Sequence, residues 1–158
     1  MPSKKGTQET VRALRTIFEQ HRNERICVLG TTCCGKTTLL KYLPDCEDLD
    51  DIWWPTLTDE EADSILHGTW TSEIGALIGR TVQERISIKP GTPLFSQLLI
   101  DCDVVVYLDI SDELLEKHCA KRGMNYNTSK IIKNMLEESL KRRKIQDSNT
   151  FYRLVLTE

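Results

Sequence analysis

An apolar stretch, Ile26-Cys-Val-Leu29, runs without interruption into Gly30-Thr-Thr-Cys-Cys-Gly35-Lys36-Thr37. A helix-like continuation with Leu39, Leu40 and Leu43 follows and stops at Pro44. A strand, a G-x-x-x-x-G-K-T turn and a helix in that order have a physical reason. Successive backbone N–H groups of such a turn point inward and cradle phosphate oxygens, and the glycines permit a backbone course and a close approach that a side chain would block. The N-terminus of the following helix adds partial positive charge, Lys36 adds a full one, and the Thr37 hydroxyl stands where Mg²⁺ would be coordinated. An ordinary glycine-containing turn is the alternative, but both flanks match the phosphate-binding case. Gly30, Thr31, Thr32, Cys33, Cys34, Gly35, Lys36, Thr37 and Thr38 are therefore the expected nucleotide contacts.

The chain has 158 residues, enough for one domain with a sizeable core, with residues 1–24 as a helical addition in front of it. A net charge of −3 argues against a general nucleic-acid binder. Apolar runs are too short for a membrane span, and the basic N-terminus lacks the apolar segment of a secretory signal. The six cysteines (27, 33, 34, 46, 102 and 119) form no C-x-x-C pair, and two lie inside the loop, where a cross-link or a metal would compete with nucleotide. Reduced thiols in a reducing, cytoplasmic compartment are the expectation.

Along the chain, residues 7–25 read as an amphipathic helix with Val11, Leu14, Ile17 and Phe18 on one face, expected to pack against a sheet. The acidic run Asp45–Pro55 has room for a short second strand. Thr58-Asp-Glu-Glu61 is a capping box that opens a helix ending at His67-Gly68, and a further helix covers about 72–83. Arg85-Ile-Ser-Ile-Lys89 alternates like a strand and is closed by the Pro90–Pro93 turn, with 94–100 a connecting helix or turn. Asp103-Val-Val-Val-Tyr-Leu-Asp109 reads as a strand buried on both faces, and Ser111 caps the helix after it. Residues 122–128 read as a loop, Ile131 to Leu140 as a helix ending in a basic cluster (141–144), and Phe151 to Leu156 as the last strand. Alternating strands and helices predict a parallel α/β sheet with ligands at the carboxyl ends of its strands, where the Gly30–Thr37 loop, Asp48/Asp50, the Pro90–Pro93 turn and Asp109 should converge.

Mg²⁺ held on a phosphate needs more than Thr37. Asp109 fits the apolar-strand-then-Asp pattern of a Walker B element, or alternatively a helix N-terminal acid. Asp48 and Asp50 offer a different solution, with Asp48 on the metal and Asp50 near an acceptor hydroxyl. Trp53-Trp54 suits base stacking or core packing, and Arg80 and Arg85 suit an acceptor anion or a plain surface role. His67 and His118 carry no metal spacing and receive no role.

On the loop, the Asp48-x-Asp50 pair and the Val-Val-Val-Tyr-Leu-Asp109-Ile-Ser strand, the chain resembles the small P-loop kinases, the group of nucleoside monophosphate kinases, shikimate kinase and gluconate kinase. That resemblance implies a three-layer P-loop fold with about five parallel strands in the order 2-3-1-4-5, flanked by helices. It implies an acceptor-binding role for Arg80 and phosphate or adenine contacts for Lys117, Lys121 and Arg122, in the region where the family carries a lid. Cys33-Cys34 stands where these kinases more often have Gly or Ser, and a thiol there predicts sensitivity to oxidation.

The expectation for function is a Mg²⁺- and ATP-dependent phosphotransferase acting on a small metabolite or nucleotide, with Lys36, Asp50 and Arg80 as catalytic residues and Thr37, Asp48 and Asp109 on the metal. Alternatives are a nucleotide-binding regulator without transfer activity and a polynucleotide end kinase. A GTPase lacks support, since no N-K-x-D base-reading motif occurs.

Overall fold

A computed structural model describes residues 4–67, 71–146 and 150–157. In chain order it holds α1 (Lys4–Gln20), β1 (Ile26–Leu29), α2 (Lys36–Leu40), β2 (Glu47–Asp48), α3 (Leu49–Trp53), α4 (Asp59–His67), α5 (Ser72–Arg85), β3 (Leu94–Ser96), β4 (Val104–Asp109), α6 (Asp112–Arg122), α7 (Tyr126–Gln146) and β5 (Thr150–Val155). The five strands form one sheet in the order β2-β3-β1-β4-β5, and every neighbouring pair is parallel. The fold is α/β, with helices against the sheet.

The alternation of side chains along each strand divides the core in two. From β1 and β4, Ile26, Val28, Val104, Val106 and Leu108 meet α1 (Val11, Leu14, Ile17), α2 (Leu39) and α6 (Leu115, Cys119). From the same strands Cys27, Leu29, Val105 and Tyr107 meet α3 (Leu49, Trp53), α5 (Val82) and α7 (Leu136). The amphipathic N-terminal segment thus packs against the sheet, as its periodicity predicts, with Leu14 completely buried. The capping box forms reciprocally, Thr58 N–H donating to Glu61 Oε1 at 2.9 Å and Glu61 N–H to Thr58 Oγ1 at 3.2 Å. Ser111 Oγ accepts from Leu114 N–H at the start of α6.

Three local expectations are corrected. The third strand is Leu94–Ser96, not Arg85–Lys89: Arg85 closes α5, and among the described residues the extended segment after it joins no neighbouring strand, its one bridge running from Lys89 to Thr92. Ile86 and Ile88 alternate because both drop into the α5-side core from the sheet's margin, which mimics the pattern of a half-buried strand. Consequently the Pro90–Pro93 turn precedes β3 and lies at the amino ends of the parallel strands, where Gly91 and Pro93 line a groove with Arg15 and Arg22. It does not join the Gly30–Thr37 loop and the Asp48/Asp50 pair. Finally, α7 begins at Tyr126, inside the stretch read as a loop, because Asn125 caps it: its Oδ1 accepts from Asn127 N–H at 2.8 Å and its carbonyl from Ser129 N–H. Gly68, expected to end α4, lies outside the described residues. No helix among the described residues is long and apolar enough to cross a membrane.

Candidate functional site

The carboxyl ends of β1, β2 and β3 bring the first site together. Leaving β1, the chain needs Gly30 for close approach: a Cβ there would stand 2.6 Å from Cys34 Sγ and 3.5 Å from Leu108 Cβ. Cys33 and Gly35 both adopt the left-handed region, with φ of 65° and 102°. Glycine accepts this freely at 35, whereas a cysteine at 33 is held there against its preference. Lys36 opens α2 and is almost wholly buried, its ammonium donating back to the carbonyls of Gly30 (2.6 Å) and Thr31 (3.0 Å). The cation is thereby folded over the turn that precedes it.

Two helices clamp the loop from outside. Thr31 Oγ1 donates to the Ser129 carbonyl at 2.6 Å, and Thr32 Oγ1 and Ser129 Oγ share a hydrogen bond of 2.6 Å. His118 Nδ1 lies 2.9 Å from the carbonyl of Cys33; since a carbonyl only accepts, the proton resides on Nδ1. Cys119 of α6 touches both Cys33 and Ser129. Burial, reinforced by the neighbouring Cys119 thiol, pushes the Cys33 thiol up. Cys33 and Cys34 are both nearly closed to solvent, so an oxidant reaches either thiol only through an opening of the loop.

Lys36, Thr37, Asp48, Asp50, Gln97 and Arg122 line one cleft of about 100 Å³ on the sheet side of the loop, together with Thr31, Thr32 and Cys33. Asp48 caps α3 by accepting from Asp50 N–H, and its carboxyl is raised above its ordinary value, first by burial and also by the charges of Asp50 and Asp51; the hydrogen bond from Asp50 N–H and, less so, Lys36 pull in the opposite direction. Among the described residues no group of three or more His, Cys, Asp or Glu side chains could hold a metal ion. A hard cation in this cleft would instead take phosphate oxygens with Thr37 and Asp48, an all-oxygen set suited to Mg²⁺. Cys34, Gly35 and Thr38 line a second cleft on the far side of the loop, which Cys33, Thr37 and Arg122 also border.

Other expected residues lie elsewhere. Asp109 ends β4, but its carboxylate is taken by Arg153 of the adjacent strand, with Nε at 2.8 Å and Nη2 at 2.6 Å, and it lines neither cleft. Lys117 is an exposed residue of α6 and Arg80 an exposed residue of α5, and neither borders either cleft. Arg85 is held bidentately by Glu61 at 2.7 and 2.9 Å. Trp53 is core, its indole N–H donating to Thr81 Oγ1 at 3.0 Å. Gln97 and Ser129 carry no signal in the sequence, and His118, without metal spacing, receives no role from it. Gln97 follows a strand too short to show a pattern, and the other two reach the loop through helix packing alone.

No family model matches the chain, and no curated protein matches it in sequence.

Proposed function

We propose that this chain transfers the γ-phosphoryl group of Mg-ATP to a small metabolite or nucleotide. The observation that carries the reading is the gathering of Lys36, Thr37, Asp48 and Asp50 in one cleft at the carboxyl ends of β1 and β2. The Gly30–Thr37 turn would act as a P-loop, in keeping with the resemblance to small P-loop kinases. Lys36 exchanges its two carbonyl partners for phosphate oxygens and stabilises the charge that develops during transfer. Thr37 and Asp48, directly or through water, would hold Mg²⁺, which would supply charge neutralisation to the phosphates. Asp50, exposed beside Asp48, orients the acceptor hydroxyl or takes its proton. Arg122, bordering both clefts, donates to the phosphates. Arg80, Lys117 and Asp109 have no part in this scheme.

Labelled ATP offered with a panel of hydroxyl and phosphate acceptors tests it. Transfer to one acceptor class by the wild type, lost by at least about a hundredfold in Lys36→Ala, is expected; undiminished turnover in that variant overturns the assignment. A regulator that binds nucleotide without transfer is the second reading. It is favoured by the direct bonds from Thr31, Thr32 and Cys33 to α6 and α7, through which a change in the loop would reach the helices. In that case ATP binds, no acceptor is labelled, and proteolysis of α7 changes with nucleotide.

A further inference from the structure

The Gly30–Thr37 loop is open on two sides of very different size. The inner cleft encloses about 100 Å³ and the outer about 440 Å³, and they share Cys33, Thr37 and Arg122, so a phosphate chain lying on the loop borders both. The smaller has room for a few heavy atoms, whereas several hundred Å³ is the size of a site for an organic ligand.

We propose that the outer cleft is the nucleoside site, that the N-terminal helix α1 forms one of its walls, and that the ring of Tyr42 is the surface on which the base stacks. The proposal rests on the nucleotide reading of the loop. Thr7 and Thr10 of α1 border the cleft three residues apart, on one helix face. Thr10 Oγ1 donates to the Gly6 carbonyl at 3.0 Å, which leaves its lone pairs to accept from a base amine or a ribose hydroxyl. Tyr42, just past α2, is 49% exposed and is the one large apolar side chain of that exposure bordering this cleft among the described residues. An aromatic ring left half in water beside a phosphate-sized loop has a face to offer a planar base. Its main chain is fixed from both sides: its N–H donates to the Leu39 carbonyl, and its carbonyl accepts from Arg15 Nη2 of α1 at 2.8 Å. The N-terminal helix therefore both supplies hydroxyls and anchors the residue that carries the ring. Lys121 and Arg122 stand on the opposite, α6 side, where cations suit a phosphate chain leading into the loop. The ligand class is a nucleoside triphosphate.

Calorimetric titration of the full chain with Mg-ATP and, separately, with magnesium and inorganic tripolyphosphate tests this. Wild type is expected to bind ATP more tightly than tripolyphosphate. Tyr42→Ala should weaken ATP about tenfold and leave tripolyphosphate unchanged. Thr10→Trp, which places an indole in the cleft, should weaken ATP further with the same indifference to tripolyphosphate; Thr7→Trp, a turn earlier, replaces it if the first variant fails to fold. Unchanged ATP affinity in these variants overturns the proposal, as does an equal loss for both ligands. A wild type that binds tripolyphosphate as well as ATP removes the nucleoside site but leaves the loop reading standing. A wild type that binds neither removes both.

Discussion

Cys33 is a non-glycine residue at φ 65° in the middle of the loop, buried and tied through its carbonyl to His118. Cβ crowding in the left-handed region costs about 1–2 kcal/mol and is worse for β-branched side chains. Cys33→Gly should therefore change stability by less than about 1 kcal/mol, while Cys33→Val should destabilise by at least about that much, as read by urea denaturation; a valine variant as stable as the glycine one would contradict the backbone assignment. Tyr107 presents the opposite case. Its hydroxyl is buried and has no hydrogen-bond partner among the described residues, and burial pushes its ionisation well up. Tyr107→Phe should then be neutral or stabilising by about 1 kcal/mol in the same assay. For Asp48 the sign follows from its raised carboxyl. Its stabilising contribution is fully present below the unfolded value and is lost as pH rises through the higher folded value, so at neutral pH the half-buried charge weakens the fold. Asp48→Asn keeps the capping oxygen of α3 and should melt above wild type at pH 7, with the advantage gone near pH ~4; a lower melting temperature at pH 7 refutes this. The loop and the acid pair could be read from sequence because each is local: neighbouring residues, one after another. Gln97, His118 and Ser129 could not, since only the sheet order and the packing of α6 and α7 bring them in.

Among the elements, α1 has the clearest energetic role. Val11, Leu14 and Ile17 are buried against β1 and β4, and Leu14→Ala should cost about 2–5 kcal/mol by denaturant titration. A cost below about 1 kcal/mol would mean that the helix sits on the sheet without supporting it. β1, β4, α4 and α6 were legible because each carries a strong local signature, a continuous apolar run or a capping residue. β3 was not. Its three residues are all buried between β1 and β2, too few for any period to appear, while Ile86 and Ile88 a few positions earlier imitate one. The start of α7 is masked for another reason: the Asn125 cap is a usable signal, but it sits among polar neighbours that also suit a loop.

For the molecule as a whole, several carboxylates link separate elements. Glu61 pairs with Arg85 between α4 and α5, Asp103 with Arg25 ahead of β4 and β1, and Asp112 with Lys130 and Lys133 between α6 and α7. Hydrogen bonds from these cations hold Asp103 and Asp112 below their ordinary values and Glu61 at about 2. Groups depressed in this way stabilise above their unfolded values and lose that contribution as pH falls through the folded ones. The melting temperature should change little from neutrality to pH ~5 and decline below pH ~4, modestly because the carboxylates stay partly open to solvent; a flat profile down to pH 3 would show that they contribute nothing. The two walls of the outer cleft have a different consequence. Thr7 and Leu156 border the same space from distant parts of the sequence, one on the first helix and the other just past an edge strand. A bound ligand would touch both of these elements. Occupancy should therefore slow amide hydrogen exchange in the first turns of α1 and along β5 in the same proportion, so that opening either end of the chain would release what the other end holds.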